Sequence, residues 1–157
     1  MILRLIVENI ASFKNAVEFN TFPSSKSQSH NNHKVKCGHA TALRLGAIYG
    51  ANGAGKSNLI KSLFLLKQLI GLESLQKFPI GDSLAFKLDP TYSERPSGIA
   101  VEFYHGNNIY YYHIEFDRSQ VYTEELLLSK KSKDEPIFKR ENNTINIYHS
   151  FFANGAN

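Results

Sequence analysis

The sequence predicts an α/β fold in which one helix is set among strands that are mostly antiparallel. Three observations carry this. Leu59, Ile60, Leu63, Leu66 and Ile70 recur at helical spacing, with Lys61 and Lys67 between them. Period-two alternation with turn residues between the runs dominates residues 98–148. Between the apolar run 42–49 and that helix lies an abrupt glycine-rich passage, residues 50–57.

Taken in order, residues 2–10 read as a strand, with Leu3, Leu5 and Val7 on one side and Arg4 and Glu8 on the other. Residues 11–15 are a turn and 16–19 a second strand, so residues 1–20 form an antiparallel hairpin. Residues 21–41 are rich in Ser, Asn, His and Lys and poor in apolar periodicity, and are expected to be a flexible polar loop. Residues 42–71 follow as strand, glycine-rich turn and helix, with Gly71 as the stop. An antiparallel β region is expected over 80–150, with strands at 84–88, 98–104, 109–116, 121–128, 137–140 and 144–148; His105, Gly106, Asn107 and Asn108 make the turn between the second and third.

Hydrophobic residues make up 42% of the 157, enough for a packed core, so wholesale disorder is excluded. Cys37 stands alone, which excludes an internal disulfide framework and fits a reducing compartment. No apolar run approaches the roughly 20 residues that span a bilayer, and charge interrupts the N-terminus too early for a signal peptide. A cytoplasmic location and no membrane partner are expected. Residues 1–60 carry seven basic and two acidic residues, so the positive excess surrounds the glycine-rich passage; a solvated basic surface accounts for it more simply than a nucleic-acid track.

Gly50-x-x-x-x-Gly55-Lys56-Ser57 matches the P-loop pattern, with an apolar strand before it and a helix after it. Glycines at 50, 53 and 55 permit torsions and close approach that a Cβ would block. Backbone N–H groups, those of Asn52 and Ala54 among them, then converge on phosphate oxygens at the helix N-terminus. Lys56 supplies a point charge for the β- and γ-phosphates, and the Ser57 hydroxyl a ligand for Mg²⁺. ATP and Mg²⁺ are the expected cofactors.

The wider string Tyr49-Gly-Ala-Asn-Gly-Ala-Gly-Lys-Ser-Asn58 resembles the signature of the ATPase heads of the ABC, SMC, RecF and OLD-like families, bacterial AAA-type ATP-binding proteins among them. Residues 6–13 (IVENIASF) are similar to their opening strand and N-F-x-S-F segment, with Ile10 where an aromatic is usual. Residues 98–128 and 137–141 are similar to the antiparallel insert and the strand after it. The resemblance implies a P-loop NTPase fold, Asn58 and Ser12 near the nucleotide, and a homodimer that sandwiches ATP and drives an effector protein or acts on DNA.

It also implies an N-terminal lobe only. The expected second apolar strand ending in Asp-Glu is not found: residues 112–117 alternate as a half-wet antiparallel strand does. No LSGG-like signature appears, and Gln68, Gln76 and Gln120 give no secure Q-loop. Such a lobe is expected to bind ATP and to hydrolyse it only as part of the full head. A small phosphotransferase and a non-hydrolysing nucleotide-binding module are the alternatives.

His30, His33, Cys37 and His39 fall in ten residues, but no standard zinc spacing fits them and a polar loop that happens to hold histidines is the simpler reading. Tyr110 and Tyr112 are expected on one face of a strand and Tyr111 on the other, packing in the sheet and not stacking on bases.

Overall fold

The computed structural model describes residues 1–26, 31–71 and 84–148; His30, Gln76 and residues 151–157 lie outside them. Nine strands and two helices are formed among these residues: β1 (Ile2–Glu8), β2 (Val17–Asn20), β3 (Lys34–Cys37), β4 (Ala40–Leu43), α1 (Lys56–Gly71), α2 (Pro90–Ser93), β5 (Ser97–His105), β6 (Asn108–Phe116), β7 (Val121–Ser129), β8 (Glu135–Glu141) and β9 (Thr144–Ile147). Seven strands make one antiparallel sheet in the order β2-β1-β5-β6-β7-β8-β9, and β3 and β4 make a separate hairpin.

Register divides the sheet into two chemically different faces. Leu5 pairs Val101, which pairs Tyr112, and Val7 pairs Ile99, which pairs Ile114. These side chains share one face and pack with Leu59, Leu66 and Leu69 of α1 in the main core. Burial of an aliphatic side chain is worth roughly 1.5–3 kcal/mol, so three leucines suffice to pin the helix. The opposite face carries Arg4, Glu102, Tyr111, His113, Glu125 and Lys139 and is covered by no described helix. Alternate tyrosines therefore divide as expected. Tyr112 is buried and donates to Glu124 Oε1 at 2.8 Å, while Tyr111 stacks beside His113 on the outer face.

The hairpins at β1–β2, β5–β6 and β8–β9 follow the sequence expectation. Between β5 and β6 the turn residues Gly106 and Asn107 both have positive φ, 54° and 69°, the backbone that a tight two-residue hairpin demands.

Four expectations need correction. The polar segment 21–41 is not one loop: after a 3₁₀ turn at Asn31–His33, β3 and β4 pair through Gly38 (φ 57°) and His39. Cys37 and Ala42 there are fully buried with Leu3 and Ile109, and this second small core holds the hairpin against the sheet. The strand expected over 42–49 ends at Leu43. Leu45 and Tyr49 are exposed, because no described strand lies beside them to pair their backbone or cover their side chains. Residues 84–88 form no strand: Leu84 O accepts from Ala11 N and Phe86 N donates to the Asn9 side chain, which takes the backbone groups a ladder would use. Asp89 then caps the short helix α2, accepting from Thr91 N. Finally, α1 buries Leu69 and leaves Ile60 and Ile70 exposed, so its core stripe runs through Leu59, Ser62, Leu66 and Leu69.

Candidate functional site

Residues 50–57 pass from the irregular segment after β4 directly into α1, whose first residue is Lys56. Gly53 and Gly55 take φ values of 82° and 92°, a region open to glycine and costly for residues with a Cβ. Ala54 N donates to Ala51 O, and Leu59 N donates to Gly55 O, the first helical bond. Residues 50–54 are exposed, and a Cβ placed on Gly53 would meet nothing within 4 Å. The loop is thus an open cradle at the positive end of a four-turn helix.

Lys56 folds back over this cradle. Its Nζ donates to Gly50 O and Ala51 O, both at 2.7 Å. The ammonium is therefore held at the loop's mouth by neutral carbonyls, which are weaker acceptors than an anion. Ser57, in the first turn of α1, is exposed; Asn58 points the other way and donates from Nδ2 to Ser12 Oγ at 3.0 Å. The turn between β1 and β2 lies against the loop, since a Cβ on Gly55 would stand 2.8 Å from Ser12 Oγ and 3.1 Å from two carbons of the Phe13 ring. Of the candidate site residues, Gly50, Asn52, Gly53, Ala54, Gly55, Lys56 and Ser57 form the loop, and Asn58 and Ser12 join it to the hairpin.

Behind that turn is a hub that sequence reasoning missed. Asn9 is 2% exposed, with φ 50°. Its Nδ2 donates to the carbonyls of Tyr92, Arg95 and Pro96, at 2.9, 2.9 and 3.2 Å, and its Oδ1 accepts from Phe86 N at 3.1 Å. One side chain thereby ties the end of β1 to residues 86–96. Ile10 and Phe13 exchange two backbone bonds across the turn. Lys14 Nζ meets Asp89 Oδ2 at 2.8 Å and lies 4.9 Å from the centre of the Tyr92 ring, with Arg95 over the same ring. The hydrogen bond and charge of Lys14, with bonds from Thr91, hold Asp89 at about 2. The signal available in sequence was an Asn at a strand end, a residue type that tolerates positive φ.

Asp117, which ends residues 112–117, is no candidate for a metal or catalytic carboxylate. Burial pushes its pKa up, but bonds from Tyr122, Ser119 and Gln120 outweigh this and hold it at about 2. Both its oxygens are committed within its own turn, Oδ2 to Tyr122 and Oδ1 to Ser119 and Gln120. Among the described residues no three His, Cys, Asp or Glu side chains are placed to share a metal ion. His33 and His39 are exposed while Cys37 is buried, its Sγ 3.8 Å from Met1 Sδ. No described helix is long and apolar enough to cross a membrane.

A glycine-rich turn opening a helix is the arrangement that P-loop proteins use to hold phosphate. Residues 46–155, more than two thirds of the chain, match the family described as "AAA domain, putative AbiEii toxin, Type IV TA system". The chain belongs to this AAA-domain family. Membership carries a P-loop NTPase fold in general terms and a nucleotide-binding, ATPase-like function. No curated protein matches the chain.

Proposed function

We propose that the chain binds ATP with Mg²⁺ through residues 50–57, as the N-terminal part of an ATPase head. The carrying observation is the open loop at the start of α1, with Gly53 and Gly55 at positive φ and the Lys56 ammonium held over it. Three features make it fit a triphosphate. The N–H groups of the first helical turn need acceptors and sit at the positive end of the helix dipole. The glycines keep side chains out of the cradle. Lys56 exchanges neutral carbonyls for phosphate oxygens, a gain of charge-assisted bonding.

Mg²⁺ would be held by Ser57 together with phosphate oxygens, neutralising charge on the β- and γ-phosphates. The chain's own residues bind and orient the triphosphate. Hydrolysis additionally needs a carboxylate to order metal and water, and Asp117, just past the end of β6, is tied to its own turn. Binding without efficient turnover is therefore the activity proposed for this chain, with hydrolysis belonging to the complete head. A homodimeric head that works on an effector protein or DNA follows from the family resemblance alone.

Calorimetric titration of Mg-ATP into the wild type and Lys56→Ala tests this. Loss of a charge-assisted bond worth roughly 1.5–3 kcal/mol predicts binding weaker by about 10- to 100-fold. Equal affinity in the two proteins would overturn the proposal.

A further inference from the structure

We propose that the turn at residues 11–13 is the positioning element of the phosphate loop, with Ser12 and Asn58 as its latch. This rests on the nucleotide-binding reading above and assigns both residues a role in shaping the loop in place of a contact to the nucleotide.

The turn is braced from several directions. Ile10 and Phe13 close it with two backbone bonds, Ala11 N donates to Leu84 O at 2.7 Å, and Lys14 is fixed by Asp89. The buried Asn9 hub anchors the strand end beneath it. Ala11, like Asn9, has positive φ (52°), so the surrounding bonds hold this backbone in a region it would otherwise leave.

The braced turn meets the loop at Gly55, where Ser12 Oγ and the Phe13 ring fill the space a side chain would need. A Cβ on Gly53 would meet nothing within 4 Å, and the atoms nearest one on Gly50 belong to Ala54 and Lys56 of its own loop. External support thus enters at Gly55, whose carbonyl takes the first helical bond from Leu59 N. The Asn58–Ser12 hydrogen bond locks the first turn of α1 to the same point. Gly55 is glycine both for its φ of 92° and because the hairpin occupies its Cβ position. The hairpin, more than forty residues upstream in sequence, therefore fixes where the loop's N–H groups point.

Two measurements on the full chain test the latch: amide hydrogen exchange over the first turns of α1, Leu59 above all, without ligand, and Mg-ATP affinity. Both are made on wild type, Ser12→Ala, Asn58→Ala, the double variant and Ser12→Thr. Losing one hydrogen bond from this exposed pair is expected to weaken ATP about fivefold and to speed exchange at Leu59, whose N–H bonds to Gly55 O, by a similar factor. The double variant is expected to be no worse than the weaker single one, and Ser12→Thr to restore both readouts. Losses that multiply in the double variant, with exchange unchanged, would mark two separate ligand contacts and overturn the latch. No change in either readout would reduce the turn to packing and overturn it equally. If the wild type binds no Mg-ATP, the nucleotide reading fails, while the exchange data still decide whether Ser12 and Asn58 hold the loop.

Discussion

Replacing Asn9 with alanine should damage this protein more than its position just past the end of β1 suggests. Two amide hydrogens are spread over the carbonyls of Tyr92, Arg95 and Pro96, and the side-chain oxygen takes the Phe86 N–H. The residue is 2% exposed, so water does not readily replace these partners. About three net bonds at roughly 1 kcal/mol each are lost. Alanine at φ 50° adds about 1 kcal/mol of backbone strain. The expected loss of about 4 kcal/mol is a large part of the roughly 5–15 kcal/mol that holds a domain together. With a urea slope near 2 kcal/mol/M, the unfolding midpoint should fall by about 2 M. Asn9→Gly, which accepts the φ but supplies no side chain, should recover roughly a quarter of that loss. A midpoint shift below about 0.5 M for Asn9→Ala would refute the assignment of Asn9 as the hub.

Gly55→Ala should lower the urea midpoint more than Gly53→Ala, since both positions have positive φ but only at Gly55 does a Cβ meet Ser12 Oγ at 2.8 Å; equal losses would remove the steric part of the argument. Asp117 drops from an ordinary 3.8 to about 2 in the fold, so its contribution is present above pH 4 and is lost as pH falls toward 2. Asp117→Asn should therefore flatten the acid limb of a plot of urea midpoint against pH between about 4 and 2, and an unchanged limb would contradict this. Burial, and then the bond to Glu124, push the Tyr112 hydroxyl well above its usual range, keeping it a neutral donor. Tyr112→Phe should cost about 1 kcal/mol in urea unfolding, with no loss of strand content by circular dichroism.

The strands legible in the sequence were those whose partners are neighbours in the chain. β5 and β6 alternate, turn through Gly106 and Asn107, and pair along their full length, so local pattern and tertiary environment agree. The hairpin β3–β4 was hidden because its two alternating runs are only four residues each, sit in a polar stretch and are buried by long-range contacts, Cys37 and Ala42 being covered by Leu3 and Ile109. The run 42–49 misled in the opposite sense. Its apolar residues read as a strand, but a strand requires a neighbour, and none is present among the described residues beyond Leu43. At the site, the loop itself was legible from glycine spacing and Lys56. Its mechanical support was not, because the Asn9 bonds to residues 86–96 join segments far apart in sequence.

The most direct test of the account is the pattern of backbone amide shifts when Mg-ATP is added to isotope-labelled protein. The amides of Gly53, Gly55, Lys56 and Ser57 should move most, with smaller shifts at Ser12 and Phe13 and none across the outer face at Glu102, His113 and Lys139. Shifts centred on that outer face, or none at all from a folded protein, would contradict it.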